Sequence, residues 1–184
     1  ELSRWYWHLS EPHLKATSPA LEQKVKDLTG DAAHADEKIA RLFRFVSQEI
    51  RYLGVTAETE APGYEPHDVS LTFENRHGVC RDKAALLAAM LRLAGLNAYP
   101  VLIYTGPRKD EEVPQPYFNH AIVAAENTDG SYTLMDPTDE STKDLLPAYL
   151  NNKSYLVAKP AGERLLASPV APAEANLLLI ESTG

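Results

Sequence analysis

The sequence predicts an α+β domain. Three observations carry that prediction. Helical periodicity fills the first half of the chain, and short apolar strands with turn signals fill the second. Between them, residues 80–94 are apolar on nearly every side after the first turn, which marks a central, buried helix.

The first helix is expected at Ser18-Pro19, since serine caps well and proline suits the first turn. Leu21, Val25 and Leu28 line one face, and Gly30 stops it. A second helix follows Asp31 and runs to about Arg51. Ile39, Leu42, Phe43, Val46 and Ile50 form its buried stripe, while Lys38, Arg41, Arg44 and Glu49 face away. Residues 53–69 read as a loop, followed by a short helical turn over 70–75 that Gly78 breaks. In the central helix only Arg92 interrupts the apolar run, and Gly95 ends it. Strands are expected over 99–104, 120–125 and 131–135, with Asn127-Thr128-Asp129-Gly130 as a hairpin turn. Residues 106–117 form a polar, proline-rich loop. Residues 154–158 and 164–167 add further strands.

At 184 residues and 20.3 kDa, the chain fits one domain. Apolar residues at 44% and charged residues at 24% suit an ordinary globular core. A single cysteine excludes an internal disulfide and a cysteine-rich zinc module. No apolar stretch is long enough to cross a bilayer, so no membrane contact is expected from this segment. With a net charge of −8 and a pI near 5.2, the surface repels phosphate and argues against nucleic acid as a partner. The first residue is Glu1, and residues 175–180 read like the start of another strand. The expectation is a piece of a longer protein: a domain over 1–170, then a C-terminal extension over 171–184 that begins a further strand or domain.

The chemistry centres on Cys80. It opens the central helix, where free N–H groups and the macrodipole favour a thiolate. A nucleophile needs a base, and His120 heads a predicted strand. A base needs an orienting group, and Asp136 closes the next strand. A hairpin over 120–136 would bring the last two together and satisfy nucleophile–base–orienter logic. His77, three residues before Cys80, is the rival base. Zinc on Cys, His and Asp is disfavoured because no close-spaced ligand pair anchors it. The acidic residues Asp136, Asp139, Glu140 and Asp144 lack the pattern of a calcium loop. No cofactor and no metal are expected.

These residues resemble the transglutaminase-like superfamily of papain-type thiol enzymes. The resemblance rests on Gly78-Val79-Cys80-Arg81-Asp82-Lys83-Ala84, Ala94-Gly95-Leu96-Asn97-Ala98-Tyr99-Pro100-Val101-Leu102, Phe118-Asn119-His120 and Met135-Asp136-Pro137-Thr138. It extends back to Phe45-Val46, Ile50-Arg51-Tyr52 and Gly63-Tyr64-Glu65-Pro66. It is strongest to a bacterial branch in which this domain follows a β-rich domain of unknown function, in proteins commonly exported or tied to the cell envelope. The resemblance implies a thiol-protease fold with the cysteine helix packed on an antiparallel sheet. It implies Cys80 as nucleophile, His120 as base and Asp136 as orienter, with a thioester intermediate. It implies an oxyanion held by the Cys80 N–H and an upstream side-chain donor, here Tyr64; Glu65 is ionised and cannot donate. Val79 stands where the branch usually has aspartate. Trp5 and Trp7 lie far upstream of the oxyanion position used by the animal enzymes, and these residues do not include the calcium-binding domains of those enzymes, so the resemblance does not imply calcium-dependent crosslinking.

The expected function is cleavage of amide bonds in peptide or protein substrates by a peptidase or amidase, with the 106–117 loop at the cleft rim. Two alternatives stay open. The acyl group could pass to an amine instead of water, or the fold could serve as a binding module with an inert Cys80.

Overall fold

A helix absent from the sequence reading opens the chain. In the computed structural model, which describes residues 1–54, 63–111, 115–141, 144–170, 172 and 174, α1 (Leu2–Lys15) buries Ser3, Tyr6, Trp7, Ser10 and Leu14. The spacing is helical, but two serines interrupt the apolar stripe and Pro12 lies inside the helix. Both features hide it from a periodicity argument.

The next two helices follow the pattern. In α2 (Pro19–Thr29) the Ser18 hydroxyl accepts the Leu21 N–H at 3.3 Å, as a capping serine should. In α3 (Ala35–Glu49) Ile39, Leu42, Phe43 and Val46 are buried. It starts later than expected because Ala32 N–H first turns back onto Thr29 O. Then β1 (Arg51–Tyr52), α4 (Val69–Asn75) and β2 (His77–Gly78) follow, with β1 and β2 paired in parallel. Strands of two residues are too short for a period of two to reveal.

The predicted central helix is α5 (Cys80–Leu93), and every residue from Asp82 to Leu91 is buried. Gly78 is needed at its approach: a Cβ there would stand 2.7 Å from the Asp82 Cβ. Lys83 is fully buried, and its ammonium donates to Ser47 O at 3.3 Å and to Ile50 O. These carbonyls belong to the unpaired C-terminal end of α3, so Lys83 fastens that end, and β1 after it, to the first turn of α5. Burial pulls the Lys83 pKa down to about 8 against the opposing charges of Glu140 and Asp136.

The remaining strands are β3 (Ala98–Tyr104), β4 (His120–Glu126), β5 (Tyr132–Met135), β6 (Ser154–Val157) and β7 (Leu166–Ala167). They form one antiparallel sheet in the order β5-β4-β3-β6-β7. Alternation splits them cleanly. Ala98, Leu102, Ala121, Val123, Ala125, Met135 and Leu156 join the helices in the main core. Val101, Ile103, Ile122, Ala124, Leu134, Tyr155 and Val157 pack on the other face with Leu150. The helix-plus-antiparallel-sheet architecture is the one expected. Among the described residues no helix is long and apolar enough to cross a membrane. The strand expected at 175–180 lies outside the described residues.

Candidate active site

Cys80 is the first residue of α5, and Val79 is its N-cap. The Asp82 carboxylate caps this end. Its Oδ2 accepts the Val79 N–H at 3.1 Å and its Oδ1 accepts the His67 N–H at 3.0 Å. Valine has no acceptor with which to complete a reciprocal capping box. The partly buried thiol therefore sits at the positive end of the helix that fills the core.

His120 begins β4 and Asp136 follows the last residue of β5. The register Val123↔Met135 brings the open end of the hairpin together. His120 Nε2 lies 2.9 Å from Asp136 Oδ2 and donates to it, which leaves Nδ1 for the thiol. Asp136 is wholly buried. Its Oδ2 also accepts the Tyr149 hydroxyl at 2.9 Å. Its Oδ1 accepts the Thr138 N–H at 3.0 Å and the Thr138 hydroxyl at 2.7 Å. Four donors thus saturate one carboxylate.

The pKa directions agree with one another. Burial pushes the Cys80 thiol up, but the hydrogen bond and charge of His120, with the Ala121 and Arg81 N–H groups, outweigh it and hold the thiol below its ordinary value. Burial would lower His120, but Asp136 and Cys80 raise it to about 9. Burial would raise Asp136, but His120 and Thr138 bring it below the usual carboxylate range. All three shifts run in the direction of a proton held on the imidazole between Cys80 and Asp136. His77 is exposed on β2, and the imidazole whose hydrogen bond and charge lower the Cys80 thiol is that of His120.

Tyr64 occupies a different place from the one expected of an oxyanion donor. Its hydroxyl donates to Phe118 O at 2.7 Å and accepts Phe118 N–H at 3.2 Å. Its one proton is thereby committed, and Tyr64 acts as a side-chain strand partner to the segment that leads into His120. The neighbouring residues are tied down in the same way. Arg81 Nε donates to Glu65 O at 2.7 Å, and His13 lies between Glu65 Oε1 at 2.9 Å and Asp68 Oδ1 at 2.7 Å. Tyr64→Phe should lower stability by about 1–2 kcal/mol through the lost Phe118 pairing, measured by urea unfolding. An unchanged midpoint would deny Tyr64 this role.

Three residues near the site were given no role in the sequence reading, although Tyr52 and Thr138 stand in its motifs. Tyr149 and Thr138 bond Asp136. Tyr52 lies alongside: burial and the charges of Cys80 and Asp136 raise its pKa, and its N–H donates to Glu140 Oε1 at 2.8 Å. Thr138 was legible as an Asx-type turn two residues on. Tyr149 gave no local signal. The acidic residues are directed to separate partners, since Asp139 Oδ1 accepts from Ser141 and Glu140 from Tyr52. Among the described residues no group of three or more His, Cys, Asp or Glu is placed to hold a metal ion.

Three solved structures share the fold. A candidate protease from Parabacteroides distasonis is 15% identical with a TM-score of 0.67, over 92% of this chain and 32% of that one. A candidate cysteine protease from Cytophaga hutchinsonii is 21% identical with a TM-score of 0.50, over 69% of this chain and 41% of that one. The periplasmic domain of TgpA from Pseudomonas aeruginosa is 20% identical with a TM-score of 0.50, over 71% of this chain and 47% of that one. The matched region is less than half the length of each. A comparison with curated proteins finds no match. The family model of the transglutaminase-like superfamily matches residues 22–137, a span that contains Cys80, His120 and Asp136. The chain belongs to the transglutaminase-like superfamily.

Proposed function

We propose that this domain is a thiol enzyme that breaks amide bonds through Cys80, His120 and Asp136, as a peptidase or amidase. The observation that carries the reading is the 2.9 Å His120–Asp136 bond on an imidazole that also stabilises the Cys80 thiolate. The Cys80 sulfur attacks the amide carbonyl carbon, and the carbonyl π pair moves to oxygen. The Cys80 N–H, unpaired within α5 as a first-turn donor, faces the developing oxyanion. Collapse breaks the C–N bond, and the leaving nitrogen takes the proton from His120 Nδ1. A thioester remains. Water then gives a proton to His120 Nδ1 as its oxygen attacks the thioester carbonyl; collapse breaks the C–S bond and releases the acid and the Cys80 thiolate, and the proton kept on His120 restores the starting pair. Asp136 holds the imidazole tautomer throughout. The nucleophile and base are side chains of this chain, so the proposal calls on no cofactor.

The substrates in this reading are peptides or proteins, and the 106–117 loop, of which 112–114 lie outside the described residues, forms the cleft rim. Tyr117 is exposed there, while Lys109 packs 4.3 Å above the Tyr104 ring. Residues 1–170 form the catalytic unit beside further domains of a longer chain. The periplasmic placement of the TgpA domain, which has a similar fold, supports an exported or envelope-associated setting.

The test is iodoacetamide alkylation of Cys80 against pH. In the parent chain, fast alkylation should persist well below pH 8. In His120→Ala, burial acts on the thiol without its counter-charge, so the rate at pH 6.5 should drop by about 10-fold or more, rising only near the free-thiol value of about 8.5. Superimposable profiles would overturn the thiolate–imidazole pair.

A further inference from the structure

We infer that Tyr149 is a positioning residue of this site: its hydroxyl locks the Asp136 carboxylate and tempers the hold of that carboxylate on His120. The inference rests on the Cys80–His120–Asp136 reading. Oδ2 of Asp136 takes two donors at the same length, His120 Nε2 at 2.9 Å and Tyr149 Oη at 2.9 Å. The Thr138 pair holds Oδ1. Thr138 is local to Asp136, and by itself leaves the carboxylate free to swing about the Oδ1 side. Tyr149 comes from a separate turn, the 3-10 turn Ala148–Leu150, and fixes the other oxygen. Tyr149 is 55% exposed while Asp136 is 0% exposed, so this bond ties a surface residue to a buried carboxylate.

The electrostatics follow from sharing one oxygen. A hydroxyl proton on Oδ2 takes up part of the charge that would otherwise act on the imidazolium. Tyr149 remains a neutral donor wherever His120 titrates, because burial and the charges of Asp136 and Asp139 raise its pKa above the usual phenol value. Its effect is to keep His120 able to release its proton to a leaving amine. Without it, Asp136 grips the imidazolium more tightly, and the imidazole plane loses one of its two fixed references.

The experiment is the NMR titration of the His120 ring nitrogens in the parent chain and in Tyr149→Phe, alongside iodoacetamide alkylation of Cys80 in both. The His120 titration should move up from about 9, by about half a unit or more in the variant, with the ring still ordered over Asp136. A lowered melting temperature with no movement of that titration would leave Tyr149 only a packing role and overturn the inference. A downward movement would overturn it too. If parent His120 titrates near 6.5 and Cys80 alkylates only as a free thiol, the active-site reading itself fails and takes this inference with it. If the parent behaves as a poised pair and Tyr149→Phe is indistinguishable from it, the inference alone falls.

Discussion

Cys80→Ala is expected to remove amide turnover, by about a thousandfold or more, while the fold stands. In the proposed mechanism the thiol forms the covalent intermediate, while His120 and Asp136 hold and move protons. The structural cost is small because alanine is the strongest helix former and the thiol is only partly buried. Thermal unfolding should therefore change little. The loss of the thiolate removes one of the two anions beside His120, so its pKa falls from about 9 but stays supported by Asp136. Turnover is read by mass spectrometry of peptide products, and the acyl group by the added mass on Cys80 in the parent. A primary amine in the reaction separates the two fates of the thioester: an acid product marks hydrolysis and a new amide marks transfer. Cys80→Ala retaining more than about a tenth of parental turnover would place the chemistry elsewhere.

The fold was legible where one element carries one clear period. The α3 stripe Ile39, Leu42, Phe43, Val46 and the unbroken apolar run in α5 announce both helices, and the hairpin announces itself through Asp129-Gly130, with Gly130 at φ 82°. What stayed hidden is tertiary. α1 can bury Ser3 in its core face because the Ser3 hydroxyl finds Val157 O at 2.6 Å, a partner at the far end of the chain. The pairing of β1 with β2 depends on α4 folding between them. Nothing local marks Lys83 for burial at the head of an apolar helix, and it is α3 that supplies the carbonyls that make its burial tolerable.

The same division runs through the site. Cys80, His120 and Asp136 could be singled out because each stands at an element boundary, where a side chain reaches beyond its own strand or helix. Tyr64 was selected through the family resemblance, which implies an upstream side-chain donor in the 63–66 segment, and the hydrogen bonds to Phe118 assign its proton elsewhere. Position along the chain tells which residues are near the site, but hydrogen-bond partners decide what each one does. Tyr149 is the converse case: nothing in its own neighbourhood marks it, and only the path of the chain from Asp136 through Leu145 and back shows the contact. The Asp136 N–H bonds Leu145 O at 2.7 Å, which closes that excursion and returns the chain towards the carboxylate.

Asp136→Asn tests the orienting role most sharply. The four groups around the carboxylate are all donors: His120 Nε2, Tyr149 Oη and both Thr138 groups. An amide has one acceptor oxygen and one NH2. Facing its oxygen to Thr138 turns the NH2 on His120 and Tyr149, which drives the imidazole to the tautomer with its proton on Nδ1 and leaves no base for the thiol. Facing its oxygen to His120 strands the two Thr138 donors instead. Either orientation loses the negative charge. Burial then acts on His120 unopposed by Asp136, and its pKa falls from about 9 towards or below the ordinary value. The thiolate–imidazolium pair reverts to neutral thiol and imidazole. Turnover should drop by about 10²–10⁴-fold, alkylation at pH 6.5 should slow, and unfolding should cost about 1–3 kcal/mol less than in the parent. Asp136→Ala should match it in rate, since both lack the charge. Alkylation and turnover within about threefold of the parent in Asp136→Asn would show that the carboxylate holds up the loop after β5 and nothing more.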